Sequence, residues 1–244
     1  MARHLATVRP TARRAGTGTL DLELRARKAI NALSTPLMKH LILLLTAAFL
    51  TAAQAAPVSL FDGKTLEGWS GDTAKTWRVQ DGCITGGSLD EKVPRNEFLS
   101  AKKTYKNFDL TLKFKLTGTE GFVNSGVQFR SIRMEKPAHE MFGYQADIGD
   151  PTWWGCLYDE SRRKKVLAKS DMDAVNKVLH RNDWNDYRIR CEGKRIQIWL
   201  NGVQTVDYTE EEKDIAEEGL IAVQIHGGAK AVVFFKDIAI EELP

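Results

Sequence analysis

Strict alternation is the feature that most limits how this chain can fold. From Phe108 to Leu116, the residues Phe108, Leu110, Leu112, Phe114 and Leu116 interleave with Asp109, Thr111, Lys113 and Lys115. A strand points successive side chains to opposite faces, so this pattern gives one face to a core and the other to water. The same period recurs from Trp184 to Cys191, where Tyr187 and Ile189 oppose Arg188 and Arg190, and again over Arg195 to Leu200. Turn chemistry separates the runs, with Asp81-Gly82 and Asn201-Gly202 as hairpin dipeptides. Helix signals are confined to Ser170–Val178, with Ser170 and Asp171 as caps, and to an acidic turn over Thr209–Glu217. Many short strands divided by turns predict an all-β fold, a sandwich or jelly roll of one domain over residues 57–243, with Phe114, Trp184 and Ile198 in its core.

Three further runs place polar side chains on one strand face. In Asn124–Arg130, Val127 and Phe129 oppose Gln128 and Arg130. In Gly143–Asp150, Ala146 and Ile148 oppose Gln145 and Asp147. In Leu220–Gly228, Ile221, Val223 and Ile225 oppose Gln224 and His226. If these strands are neighbours in one sheet, Arg130, Gln145, Asp147, Gln224 and His226 line a single face against one ligand.

The formal charge of +3 belongs to the N-terminus. Residues 1–55 hold eight basic and two acidic residues, which leaves 27 basic against 30 acidic and a net charge near −3. No basic stripe remains, and nucleic acid is not an expected partner. Met38-Lys39-His40, an apolar run from Leu41 to Ala53, and Ala53-Gln54-Ala55 have the three parts of a secretory signal peptide over 38–55. The run falls short of the ~20 apolar residues that span a bilayer, so a periplasmic or secreted protein with no membrane attachment after cleavage is expected. Residues 1–37 read as an unstructured leader, either from a start placed too far upstream or as an unusually long n-region. Cys83, Cys156 and Cys191 are odd in number and lack a C-x-x-C pair, which argues against a disulfide framework or a zinc site. One disulfide with a free thiol and three buried thiols both fit the sequence.

A series of landmarks runs in order through the chain: Leu60-Phe61-Asp62-Gly63-Lys64 with Gly68-Trp69, Tyr105-Lys106-Asn107-Phe108-Asp109, Asn124-Ser125-Gly126-Val127, and Gly143-Tyr144-Gln145-Ala146-Asp147-Ile148. They continue with Trp154-Gly155-Cys156-Leu157-Tyr158-Asp159-Glu160, Trp184-Asn185-Asp186-Tyr187, Leu200-Asn201-Gly202, Gln224-Ile225-His226-Gly227 and Phe235-Lys236-Asp237-Ile238. With these the chain resembles the 3-keto-disaccharide hydrolase domain family, formerly a domain of unknown function. The resemblance implies a concanavalin A-like jelly roll of two antiparallel sheets. Many members of that family carry Glu where this chain has Gln145, and Gln where it has Asp147.

The resemblance implies a small carbohydrate substrate whose 3-hydroxyl is oxidised to a ketone. That ketone acidifies the C2 proton, so a base forms an enolate that expels the C1 oxygen, and water can add to the resulting enone. Such chemistry needs a base, a donor or cation at the enolate oxygen, and an acid at the leaving oxygen. His226 or Asp147 is the expected base, Arg130 the enolate stabiliser, and Tyr158 or Glu160 the acid, the last with a pKa raised by burial or by a neighbouring carboxylate such as Asp159. A divalent metal on Asp147 and His226, with His139 or Glu140, is the alternative electrophile. Gln128, Tyr144, Gln145, Gln224 and Glu97 are expected to bind substrate, Trp153 and Trp154 to stack on a sugar, and Arg162 to belong to the site through its basic loop. A non-catalytic carbohydrate-binding module is the competing function. An endo-glucanase of this fold would carry an E-x-D-x-E strand, which the chain lacks.

Overall fold

The computed structural model describes residues 56–244; the expected leader and signal peptide lie outside the described residues. The chain forms β1 (Val58–Ser59), β2 (Trp69–Ser70), β3 (Trp77–Gln80), β4 (Cys83–Ser88), β5 (Glu97–Tyr105), β6 (Phe108–Glu120), β7 (Asn124–Arg133) and β8 (Met141–Gly149). After β9 (Leu157–Glu160) and β10 (Val166–Ala168) comes the short helix α1 (Met172–Val175). Then follow β11 (Asn185–Glu192), β12 (Arg195–Leu200), β13 (Val203–Thr209), β14 (Gly219–Ile225) and β15 (Lys230–Glu242).

Two antiparallel sheets result. One has the order β13, β12, β11, β6, β15, β4, β3, with β1 also paired to β15. The other has the order β10, β9, β8, β7, β14, β5, β2. Their facing sides enclose the core, which draws Leu110, Phe114, Tyr187 and Ile198 from the first sheet and Val127, Phe129, Ala146, Ile148, Val223 and Ile225 from the second. Phe114 packs edge-on to Tyr187 at 5.2 Å and stacks on Trp154 at 6.3 Å between ring centres. Each fully buried ring of this kind removes enough apolar surface from water to stabilise the fold by roughly 1.5–3 kcal/mol.

The alternation that predicted these strands therefore holds, and both hairpin dipeptides sit at turns, with Asp81 and Asn201 at φ of 51° and 46°. Asp171 caps α1 by accepting from the amides of Asp173 and Ala174, but the helix ends at Val175, short of the expected Val178. The Thr209–Glu217 segment forms no helix; it leaves β13 as a loop anchored by Glu210. Trp184 is not in the core. It lies half-buried just before β11 with the ammonium groups of Lys236 and Lys115 over its ring at 4.1 and 5.2 Å. All three cysteines are free and buried. No helix among the described residues is long and apolar enough to cross a membrane.

Candidate active site

The second sheet places β14, β7, β8 and β9 side by side, with Gln224 opposite Gly126, Gly126 opposite Asp147, and Gln145 opposite both Gln128 and Tyr158. On each strand the alternate apolar residues enter the core, so Gln128, Gln145, Asp147, Tyr158, Glu160 and Gln224 share the other face. A hollow of about 120 Å³ opens at one end of that face, lined by Asn96, Asn124, Gln145, Asp147, Tyr158, Glu160 and His226, with Phe122 and Trp153 at its rim. Trp153 meets Tyr158 edge-on at 5.8 Å, and Phe122 meets Trp153 and His226 edge-on at 6.0 and 4.9 Å. These rings give the polar hollow an apolar border of the kind that a sugar's C–H face fits.

The polar groups under the hollow are sealed from water and must bond to each other. Asp147 is 2% exposed; its Oδ1 accepts from Gln145 Nε2 at 2.8 Å and from Asn124 Nδ2 at 3.5 Å, and the Cys156 thiol lies 3.7 Å from Oδ2. Behind Gln145, Gln128 Nε2 donates to its Oε1 at 3.1 Å, and Ser131 Oγ donates to Gln128 Oε1 at 2.7 Å. Glu160 accepts from Gln224 Nε2 at 3.2 Å and from the Ser161 amide at 3.1 Å. Gln224 Oε1 remains buried without a protein partner. His226 Nδ1 lies 2.7 Å from the Gly227 carbonyl, which fixes Nδ1 as the protonated nitrogen and leaves Nε2 free.

Burial pushes the Asp147 carboxyl up to about 7, with the charge of Glu160 adding to the rise against the hydrogen bonds that oppose it. Burial and the charge of Glu140 raise Glu160 as well. Tyr158 is raised by burial and then by Glu160, so its hydroxyl keeps its proton at neutral pH. Two carboxyls with elevated pKa values and a neutral phenol form a set able to take one proton and give another.

Several expected site residues lie elsewhere. Arg130 leaves the polar face because β7 carries a register irregularity between Phe129 and Ile132 and Arg130 adopts a φ of 46°. Its guanidinium instead ties down the Lys106 and Gly193 carbonyls at 2.7–3.0 Å. Tyr144 faces the core, stacks on Phe129, and donates to Glu210 at 2.5 Å. Trp154 packs on Phe114 and donates to Asp150 at 2.9 Å, so its neighbour Trp153 is the ring that reaches the hollow. Arg162 lies against Asp159 and over the Tyr144 ring, on the opposite side of β9 from Glu160. Glu97 pairs with Arg95 at 2.8 Å and lines a separate hollow. Asp159 is not the carboxylate that raises Glu160; Glu140 is. The metal reading finds no cluster: among the described residues no group of three or more His, Cys, Asp or Glu is placed to hold an ion. Asn96, Phe122, Asn124, Ser131 and Cys156 are the additions that the structure makes. Of these, Asn124 shares the parity of Gln128 on β7, so strand alternation could have found it.

Gly126 is what lets Gln145 lie across β7. A Cβ there would sit 2.6 Å from Gln145 Cγ and Cδ. Gly126→Ala is therefore expected to push Gln145 off Asp147, lowering both turnover and stability, the latter by about 1–3 kcal/mol in a urea titration.

Residues 56–241 match the sequence model of the 3-keto-alpha-glucoside-1,2-lyase-like domain. A curated relative from Bacteroides thetaiotaomicron, named 3-keto-disaccharide hydrolase, is 32% identical over 68 residues, which cover 25% of this chain and 23% of that protein. The chain thus aligns with under a quarter of that relative's length. A provisionally named glycosyl hydrolase from Parabacteroides distasonis shares the fold with a TM-score of 0.54 at 20% identity, over 76% of this chain and 93% of that one. The carbohydrate-binding module CBM66 of Bacillus subtilis does so with a TM-score of 0.55 at 17% identity, over 72% and 96%.

Proposed function

This chain belongs to the 3-keto-alpha-glucoside-1,2-lyase-like domain family, and on that premise we propose that it cleaves 3-keto-glycosides by elimination across C1 and C2. The observation that carries this reading is Asp147, a buried carboxyl raised to about 7 beside a second raised carboxyl on the wall of one hollow. A base whose pKa lies near the working pH is present in its active form and still binds a proton well.

Asp147 takes the C2 proton, and the C2–H electron pair becomes the enolate double bond. Tyr158 donates to the enolate oxygen as charge develops there. The enolate then returns its electrons to re-form the ketone, C1=C2 forms, and the C1–O bond breaks with its pair going to the leaving oxygen. Glu160, whose raised pKa favours the protonated form, gives that oxygen a proton. Water adding hydroxyl to C1 and hydrogen to C2 completes a net hydrolysis; release before that step gives the enone. With Arg130 committed to the Lys106 and Gly193 carbonyls, enolate stabilisation rests on neutral donors. Room for the leaving group lies across Trp153, in a cleft of about 540 Å³ also lined by Cys156, Val166 and Met172. Export through the 38–55 segment would place this activity in the periplasm or outside the cell.

The test is incubation with a 3-keto-glucoside and with the parent glucoside, following aglycone release and enone absorbance. Turnover is expected on the keto sugar alone. Sugar binding without turnover on either would replace this reading with that of a carbohydrate-binding module.

A further inference from the structure

We propose that Ser131, Gln128 and Gln145 form a reversible hydrogen-bond relay whose polarity follows the protonation state of Asp147, so that the carboxyl is fully paired with and without its proton. In the structure every donor points toward Asp147: Ser131 to Gln128 at 2.7 Å, Gln128 to Gln145 at 3.1 Å, and Gln145 to Asp147 Oδ1 at 2.8 Å. That is the sense that a carboxylate requires, since an ionised carboxyl only accepts.

The opposite sense needs no new space. Turning an amide by half a revolution exchanges its oxygen and nitrogen at nearly the same positions. A protonated Asp147 Oδ1 then donates to Gln145 Oε1, Gln145 Nε2 to Gln128 Oε1, and Gln128 Nε2 to Ser131 Oγ. The Ser131 hydroxyl must find another acceptor, and two are already beside it: the Phe129 carbonyl at 2.9 Å and the Tyr144 carbonyl at 3.3 Å. A hydroxyl both donates and accepts, so Ser131 is the terminus that makes the chain reversible; an N–H or a carbonyl in its place would lock one sense. Two glycines leave the channel open. A Cβ on Gly126 would meet Gln145, and one on Gly143, at φ +144°, would sit 2.3 Å from Ser131 Oγ.

Other groups also face Asp147 from neighbouring elements. Glu160 on β9 opposes its charge, Asn124 Nδ2 reaches the same Oδ1 at 3.5 Å, Cys156 lies at its Oδ2, and the Tyr187 hydroxyl bonds its backbone carbonyl at 2.9 Å. Tyr158 and His226 share the hollow. Ser131, Gln128 and Gln145 are thus positioning residues. Their use in turnover rests on the reaction proposed above: Asp147 takes the C2 proton, the relay reverses and holds it while the C1–O bond breaks, and the proton then passes to water or back to C2.

The test follows the side-chain amide signals of Gln128 and Gln145 and the carboxyl carbon of Asp147 by NMR between pH 5 and 9. All three are expected to share one midpoint, and Asp147→Asn is expected to abolish the titration of both glutamines, which separates it from any response to His226. Titration of Asp147 with Gln128 unresponsive would overturn the relay, as would glutamine titration that survives in Asp147→Asn. Neutron diffraction at the two ends of that range should show the amides and the Ser131 hydroxyl reversed; one orientation at both would also overturn it. No substrate is involved, so turnover without amide reversal defeats the relay, and reversal without turnover upholds the relay while removing its catalytic use.

Discussion

Asp147→Asn is expected to abolish turnover and, above pH 7, to make the protein more stable. Loss of a general base lowers kcat by typically 10²–10⁴-fold. The stability gain follows from linkage. Asp147 has a pKa of about 7 when folded against an ordinary value near 3.8. Between those values the folded protein binds a proton that the unfolded chain has released, so stability falls as pH rises from about 4 to about 7. Above that range the buried charge costs about 4 kcal/mol. The raised pKa of Glu160 acts in the same direction. An asparagine keeps the shape and one acceptor for Gln145 without the charge. Urea titrations at pH 5 and pH 8 should therefore show a larger gain at pH 8. An equal change at both, or a loss at pH 8, would contradict the assignment of Asp147 as the high-pKa group.

The second large effect is expected at Asp159, on the far side of β9. Its carboxylate has no exposed surface and receives Arg162 Nε at 2.8 and 3.1 Å together with Arg163 Nε. Arg163 continues to Glu210 at 2.7 Å and Glu212 at 2.9 Å, and Tyr144 adds its hydroxyl to Glu210. Burial alone would raise Glu210, but the bonds from Arg163 and Tyr144 outweigh it and hold the group at about 2. That contribution is present above the ordinary glutamate value and is lost as pH falls toward 2. Asp159→Ala leaves two mostly buried guanidinium groups short of a partner, and breaking a buried pair this way costs about 3–5 kcal/mol. Because β9 presents Tyr158 and Glu160 on its other face, turnover should fall at temperatures well below global unfolding. A loss under about 1 kcal/mol would mean that Glu210 and Glu212 suffice for both arginines.

What the sequence disclosed follows strand parity. Gln145, Asp147 and His226 follow the two-residue period and arrive at one hollow, and Gln224, in step with His226, reaches its wall by bonding Glu160. The same parity places Tyr144 beside Phe129 in the core, one residue out of step with Gln145, and this could have been read from alternation alone. Arg130 was not legible, because a register irregularity breaks the period without a mark in the residue types. Loops carry no period at all. The withdrawal of Trp154 from the hollow that Trp153 reaches, and the turn of Arg162 toward Asp159, depend on how the segments around β9 are drawn over the sheet. The relay lay in plain view as Gln128, Ser131 and Gln145, but its meaning depends on register, which sets Gln128 opposite Gln145.

The central claim is that a proton leaves C2 to Asp147 before the glycosidic bond breaks. The direct measurement compares cleavage of a 3-keto-glucoside with its C2-deuterated form, and follows solvent deuterium entering C2 of recovered substrate, in the native protein and in Asp147→Asn. Slower cleavage of the deuterated sugar, with both cleavage and exchange lost in the variant, is the predicted result. Equal rates for the two sugars with no exchange at C2, or undiminished cleavage by Asp147→Asn, would contradict it.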